Sequence, residues 1–364
     1  MKIPPYKTIG IIGGGQLGRM MAQEAKAMGY TVAILDPTPN CPAAQVSDIE
    51  ITAQYNDMEA IKKLAAISDI ITYEFENIDY EALTWLEKNA YLPQGSQVLK
   101  ITQHRFREKS TIQNIGIPVP DFTLITDASQ LDNITYPAVL KTTTGGYDGK
   151  GQVVIKTADD LPKAKDLVNT AECILEKWMT FSKEISVIVA RSTAGEVSVF
   201  PVAENIHVNN ILHQSIVPAR ISPALEKKAI DYGIKIATAL DTIGLLAIEM
   251  FVVGDEIYIN ELAPRPHNSG HYSQNACITN QFEQHVRAVC GLPLGSTNLY
   301  TPVVMVNILG QHMADLQAYQ PLLHAGKIHL YGKAQPAHNR KMGHVNILGP
   351  IDDSLQLIEA SKIW

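Results

Sequence analysis

Two glutamates, Glu249 and Glu261, lie in apolar runs on either side of Gly254-Asp255-Glu256. If those three residues form a hairpin loop, the two carboxylates face each other directly across the ladder. Like charges so placed repel unless a cation lies between them. Magnesium, held by one or two carboxylates plus substrate phosphates, satisfies that arrangement. Asn260 has the opposite parity and reaches the same place only where the strand ends or twists. The alternative leaves one carboxylate on a strand edge and pairs the other with an arginine. Immediately downstream, Ala263-Pro264-Arg265-Pro266-His267-Asn268-Ser269-Gly270-His271 carries a guanidinium, two imidazoles and an amide on a proline-stiffened segment. Arginine suits an oxyanion or acyl phosphate, and histidine moves protons near neutral pH.

Phosphate chemistry is also suggested by Lys141-Thr142-Thr143-Thr144-Gly145-Gly146-Tyr147-Asp148-Gly149-Lys150-Gly151-Gln152. This is not a Walker A loop, which needs Gly-Lys-Ser/Thr opening a helix. Between two strand-like segments it reads as a hairpin lid whose amides fold over phosphates, with Lys141 supplying fixed charge. So much glycine costs ordering entropy that an ordinary hairpin would not carry. Glu176-Lys177-Trp178-Met179 ends a strand and offers backbone groups and an apolar wall for an adenine ring, while Glu184 suits ribose hydroxyls. Lys333, Arg340 and Lys341 gather positive charge fit for a substrate phosphate. A competing signal is Gly13-x-Gly15-x-x-Gly18 between strand and helix, with Asp36 eighteen residues further on. It reads like a dinucleotide fingerprint, or as a tight turn where glycine permits close packing.

The elements that must position these groups follow from periodicity. Strands Thr8 to Ile12, Thr31 to Leu35 and Ile70 to Tyr73 alternate with helices after Gly15 and over Met58 to Ala66. That rhythm predicts a parallel, helix-covered sheet in residues 1–95. Strands Ala138 to Lys141, Gln152 to Lys156 and Cys173 to Glu176, with a helix over 158–169, predict a small α+β unit within 96–177. Alternating strands broken by a helix over 224–240 occupy 178–300, and residues 301–364 read as short strands and turns that complete that unit. The 364 residues are 46% hydrophobic and 18% charged, a globular balance for two or three domains. A net charge of −7 opposes nucleic acid and anionic membrane, and the apolar runs are strand-length. With no secretory segment visible and Cys41, Cys173, Cys277 and Cys290 scattered, the expectation is a cytoplasmic protein without structural zinc.

Three strings together closely resemble the N5-carboxyaminoimidazole ribonucleotide synthetases of the ATP-grasp superfamily: residues 13–20, residues 145–152, and Asn260 through His271. The likeness runs from the first strand to Lys333 and Arg340, and the third string is the most specific. The resemblance implies a mixed α/β and α+β ATP-grasp fold: a Rossmann-like pre-ATP-grasp domain, a central lid domain and a C-terminal antiparallel-sheet domain. It implies ATP contacts from Arg105, Lys141, Gly146 to Gln152 (Gly146, Tyr147, Asp148, Gly149, Lys150, Gly151, Gln152), Glu176, Lys177, Trp178, Met179, Glu184, His207, Asn260 and Glu261. Glu249 and Glu261 would bind magnesium, as two ions, with manganese able to substitute. Gln16, Leu17, Glu74, Tyr147, Asp148, Lys150, Arg265, His267, Asn268, Lys333 and Arg340 would surround the aminoimidazole ribonucleotide, with Arg265, His267, Asp148 and Lys150 catalytic. The implied reaction is phosphorylation of bicarbonate to carboxyphosphate, then capture of carboxyphosphate, or of carbon dioxide released from it, by the exocyclic amine in purine biosynthesis, with His267 or Asp148 taking up the amine proton. A homodimer that passes its product to a downstream mutase is implied too. Lys150 and His104 depart from the family pattern, where arginine and aspartate are common, and the acidic ligand lies between Glu74 and Glu76. The rivals are a formate-using transformylase of the same fold, a nicotinamide-dependent oxidoreductase built on Gly13 to Gly18, and a non-catalytic ATP-sensing module.

Overall fold

A computed structural model describes residues 1–146 and 151–364. Among the described residues the strands form three sheets. The first is parallel, in the order β3-β2-β1-β4, from β1 (Thr8–Ile12), β2 (Thr31–Asp36), β3 (Ile49–Thr52) and β4 (Ile70–Tyr73). Side-chain alternation divides it into two faces. Ile9, Ile11, Val32 and Ile34 pack on helix Gln16–Ala27, while Ile12, Ala33, Leu35 and Ile71 pack on helices Met58–Ile67 and Tyr80–Asn89. The edge strand β3 and helix Tyr80–Asn89 go beyond the sequence expectation. β3 buries only Ile51, so it carries no apolar alternation to read. The helix announces itself only through Asp79, whose carboxylate caps the amide of Ala82.

A small antiparallel sheet follows, in the order β5-β8-β6-β7, from β5 (Phe122–Ile125), β6 (Ala138–Thr142), β7 (Gln152–Ile155) and β8 (Cys173–Lys177). Helix Leu161–Thr170, preceded by a 3₁₀ turn, covers it through Ala164 and Val168. Residues 105–119 precede this sheet in the chain, yet Ile112, Ile117 and Val119 enter the core of the third sheet.

The third sheet runs β14-β13-β9-β11-β12-β15-β17-β16, with β10 paired to β9. Its strands are β9 (Lys183–Arg191), β10 (Val197–Val199), β11 (Ala203–Val208), β12 (Ile211–Val217), β13 (Gly244–Val253), β14 (Glu256–Ala263), β15 (Val303–Leu309), β16 (Gly326–Leu330) and β17 (Lys341–Leu348). Every pairing in it is antiparallel. Ile185, Val187, Val189, Leu246, Ile248 and Met250 pack under helix Pro223–Ala239. The opposite face carries Glu184, Ser186, Glu249 and Phe251, which are therefore available to a site. The last 60 residues are not only strands and turns: helices Met313–Ala318, Gln320–Ala325 and Ile351–Ser361 cover β15 to β17. The last has acidic residues Asp352 and Asp353 in its first turn and an apolar stripe through Leu355 and Ile358, the signature of an amphipathic helix.

Helix Gln281–Val289 joins the first and third sheets. Its Phe282, Val286 and Val289 complete the core formed by Ile9, Ile11, Met20 and Met21, and the amide of Ile3 donates to the Cys290 carbonyl at its end. Phe282 is fully buried there. Phe282→Ala should lower unfolding stability by about 3–5 kcal/mol, read by urea titration. An unchanged midpoint would show that this helix does not bind the two sheets together.

Candidate active site

The three sheets enclose a cavity of about 780 Å³. Its floor is the polar face of the third sheet. Ser186, Glu249 and Glu261 are direct cross-strand partners and form one row. The hairpin that builds this row differs from the expected one. Val253 pairs with Glu256, so the loop has two residues, Gly254 and Asp255, and that register alone would set Glu249 opposite Asn260. A β-bulge between Glu249 and Met250 corrects it: Met250 pairs with Ile259, and Glu249 with Glu261. The carboxylates do oppose each other, through an extra residue in β14 rather than a longer loop. Because two residues of β14 now oppose one of β13, both Asn260 and Glu261 line the cavity while Leu262 returns to the core.

β14 is the sheet edge, and unpaired backbone groups along it are satisfied by two side chains and one carbonyl that no sequence motif singles out. Glu108 accepts from the Leu262 amide at 2.7 Å, Lys109 donates to the Asn260 carbonyl at 2.7 Å, and the Pro118 carbonyl accepts from the Ile259 amide. Both charged residues come from helix Arg105–Asn114 and are buried. Burial holds the Glu108 carboxyl above its usual range, opposed chiefly by Lys109, and lowers the Lys109 ammonium. A Glu-Lys pair in a helix of weak apolar periodicity is their only signal.

Lys109 also lies 3.7 Å from Glu176, which accepts from Lys141 at 3.0 Å. Burial raises Glu176, but Lys109 and Lys141 outweigh it and hold the carboxyl below its ordinary value. Lys141 projects from β6 and Glu176 from β8, so this cluster ties the small sheet to the bulge. Arg105 fixes the lid entry: its guanidinium donates to the Thr142 carbonyl at 2.9 Å and the Gly146 carbonyl at 2.7 Å. His104 contacts Glu172 at 3.1 Å instead of the lid. Gly146, Gln152, Glu176, Lys177, Trp178, Met179 and Phe181 form the small-sheet wall. Glu184 and His207 line the floor as a pair 2.5 Å apart, and the carboxylate raises the imidazole despite its burial. Tyr147, Asp148, Gly149 and Lys150 lie outside the described residues.

The remaining wall is supplied by Arg265, His267 and Asn268 with Gln16, Leu17, Glu74 and Glu76. Arg265 pairs with Glu76 at 3.0 Å. Glu74 acts differently. Its two oxygens accept from the amides of Gly15 and Gly18, each at 2.7 Å, while Asp36 accepts from Gly14. Burial raises the Glu74 carboxyl, and the two amides pull it back. The glycine turn is thus filled by protein carboxylates, which removes the anion site that a dinucleotide pyrophosphate requires. The buried Nδ2 of Asn268 faces no acceptor among the described residues. His267 Nε2 lies 3.5 Å from Glu249. Burial first, then Arg265 and Lys341, push that imidazole well below its usual value.

Three expected residues do not line the cavity wall: Gly151, Lys333 and Arg340. Gly151 has φ of +71° and its carbonyl accepts from the Thr142 amide, so it serves the lid hairpin. Lys333 donates to the Lys341 carbonyl at 2.7 Å, and Arg340 to the Gln335 carbonyl at 2.9 Å. Lys341 itself lines the cavity, although the sequence marks it only as part of that basic tail.

Magnesium fits the donor set. Glu249 and Glu261 offer hard oxygen ligands on a shared row, and burial together with the Glu261 charge raises the Glu249 carboxyl, a cost that a bound cation would relieve. Among the described residues no group of three or more His, Cys, Asp or Glu forms a complete metal cage. No helix among the described residues is long and apolar enough to cross a membrane.

Comparison with known proteins accounts for nearly the whole chain. The ribonucleotide synthetase preATP-grasp domain matches residues 6–103, the ATP-grasp domain 110–282, and the phosphoribosylaminoimidazole carboxylase C-terminal domain 303–357. The N5-carboxyaminoimidazole ribonucleotide synthase of Bacillus subtilis is 54% identical over 368 residues, spanning 100% of this chain and 96% of that protein. A crystal structure of an N5-carboxyaminoimidazole ribonucleotide synthetase in complex with ADP superposes with a TM-score of 0.98 at 60% identity, covering 100% of this chain and 98% of the other. The Aspergillus clavatus synthase, in complex with ADP and 5-aminoimidazole ribonucleotide, gives a TM-score of 0.91 at 31% identity, over 98% and 97% of the chains. With its glycine turn closed by carboxylates and its paired glutamates at the cavity floor, this chain belongs to the N5-carboxyaminoimidazole ribonucleotide synthases, ATP-grasp carbon-nitrogen ligases.

Proposed function

We propose that the protein carboxylates the exocyclic amine of 5-aminoimidazole ribonucleotide, using ATP and bicarbonate, in the cytoplasm and as a homodimer that feeds a mutase. The observation that carries the reading is the Glu249–Glu261 row on the cavity floor, facing the lid lysine Lys141 and the guanidinium of Arg265. Glu249 and Glu261 would hold magnesium, which supplies charge neutralisation to the phosphates when bound. ATP lies between the small sheet and the floor, its adenine by Glu176 to Met179 and its ribose by Glu184. Its γ-phosphoryl passes to a bicarbonate oxygen, giving carboxyphosphate and ADP. Lys141 offsets the charge in transfer, and Arg265 holds the carboxyl oxyanion. The amine of the ribonucleotide then attacks the carboxyl carbon, of carboxyphosphate or of the carbon dioxide it releases; phosphate leaves and the amine gives up one proton to a neighbouring base. A closed lid excludes the water that would hydrolyse the intermediate. Asp148 and Lys150 of the lid are assigned by family likeness to the ribonucleotide side. By the same likeness Gln16, Leu17 and Asn268 would contact the ribonucleotide, and Lys333 and Arg340, which lie off the cavity wall, its phosphate.

ADP release should be measured with Mg-ATP and bicarbonate, with and without the ribonucleotide. Strong stimulation by the ribonucleotide, with bicarbonate consumed and formate inert, is expected; stimulation by formate instead would favour the transformylase. Glu261→Gln should abolish this turnover, and retained turnover would remove Glu261 from the metal site.

Lys333 supplies a pH test. Burial, then the neighbouring charge of Arg340, lower its ammonium to about 8. A phosphate contact needs the charged form, so kcat/KM for the ribonucleotide should fall as pH rises through about 8. Lys333→Met should raise KM and lose that limb of the profile. The same alkaline limb in the variant would take Lys333 away from the phosphate.

A further inference from the structure

A chain of buried polar groups runs beneath the cavity floor and ends on His267. Ser215 on β12, Asn205 on β11, Ser186 on β9 and Ser269 in the turn Asn268–Gly270 are all buried. The Ser215 hydroxyl donates to Asn205 Oδ1 at 2.7 Å, and Asn205 Nδ2 donates to Ser186 Oγ at 2.9 Å. Ser186 donates onward to Ser269 Oγ at 2.8 Å, and Ser269 Oγ lies 2.9 Å from His267 Nδ1.

The orientation of the Asn205 amide sets the direction of the first links of this chain. An amide oxygen only accepts, so Ser215 must donate to it, and the amide nitrogen of Asn205 only donates, so Ser186 must accept. Ser186 then has its one proton free for Ser269. Ser269, having accepted, can donate its own proton to Nδ1 or accept a second time from an Nδ1–H, so the hydroxyl contact by itself fits either tautomer. The backbone amide of Ser269 decides between them: it donates to the same Nδ1 at 3.3 Å, as an N-cap bond, so Nδ1 is an acceptor and the hydroxyl donates to it as well. A nitrogen that accepts twice carries no proton. The proton of a neutral ring is then on Nε2, the atom 3.5 Å from Glu249.

We propose that Ser269, Ser186, Asn205 and Ser215 are positioning residues that hold His267 as its Nε2–H tautomer. In that form His267 presents Nε2–H beside Glu249 at the cavity wall, as a hydrogen-bond donor and not as the base that removes the amine proton. The role of His267 toward the carboxyl group rests on the carboxylation proposed above; the tautomer does not. The relay is built into the metal row, because Ser186 is the cross-strand partner of Glu249. A donor fixed before substrate arrives needs no reorganisation when charge develops on the carboxyl oxygen. This differs from the proton acceptor expected for His267 from sequence.

The test is long-range proton–nitrogen correlation NMR on the full-length enzyme with ¹⁵N-labelled histidine, the His267 signal assigned by His267→Gln. The expected spectrum has a bare Nδ1 and a protonated Nε2. A protonated Nδ1, or an imidazolium at neutral pH, would overturn the proposal even if no serine variant folds. Ser269→Ala should shift the ring toward mixed tautomers and lower kcat about tenfold, the worth of one good hydrogen bond, with KM for ATP within about twofold. Ser269→Thr, which keeps the hydroxyl, should recover most of the rate, and Ser186→Ala should act in the same sense as Ser269→Ala. An unchanged tautomer and rate in both alanine variants would reject the relay. Failure of ribonucleotide-stimulated ADP release in the wild type, with the tautomer as expected, would instead reject the carboxylation reading alone.

Discussion

One extra residue in an edge strand decides what the large sheet can do. Along β14, Ile257 and Ile259 point into the apolar core under helix Pro223–Ala239, and in an unbroken strand Glu261 would follow them. A carboxylate in that core, unpaired, would cost several kcal/mol. The bulge turns Glu261 to the other face and returns Leu262 to the core, so the apolar seal and the acidic row are set by a single irregularity. It persists because its freed backbone groups have partners. Glu108 and Lys109, adjacent in one helix, supply an acceptor for the Leu262 amide and a donor for the Asn260 carbonyl.

The same helix carries the arrangement to the small sheet. Lys109 reaches Glu176, and Glu176 holds Lys141, so the bulge and the nucleotide wall share a buried ionic cluster. Buried pairs of this kind add little net stability but are costly to break, which suits a register that must not slip. Arg105 at the head of that helix binds carbonyls at both ends of the described part of the lid strand. Floor, wall and lid entry are thus aligned by residues 105–109, which face the cavity only in part.

Much of this is legible in the sequence. The parallel unit can be read because its strands are continuous apolar runs and its helices have clear stripes. The paired glutamates and the segment Arg265 to Asn268 can be read because polar groups inside apolar strands require an explanation. What stays hidden is tertiary in origin. The bulge leaves no mark in hydrophobic alternation, and the expected three-residue loop reaches the right pairing through a different register. Glu74, which lines the cavity, and Asp36 also close the glycine turn by accepting its amides, a role that no motif announces. Lys109 and Ser186 resemble ordinary helix and strand residues until their partners, 151 and 83 positions away, are known. Helix Ile351–Ser361 is a plain omission, since its acidic start and apolar stripe are in the sequence.

Glu249 and Glu261, brought into one row by the bulge, would together hold the divalent ion that accompanies ATP. Anomalous diffraction from crystals of the protein grown with manganese and a non-hydrolysable ATP analogue tests it most directly. A manganese peak in contact with both carboxylates and the analogue's phosphates is the predicted result. A peak held by phosphates alone, with either glutamate turned away from it, would contradict the account.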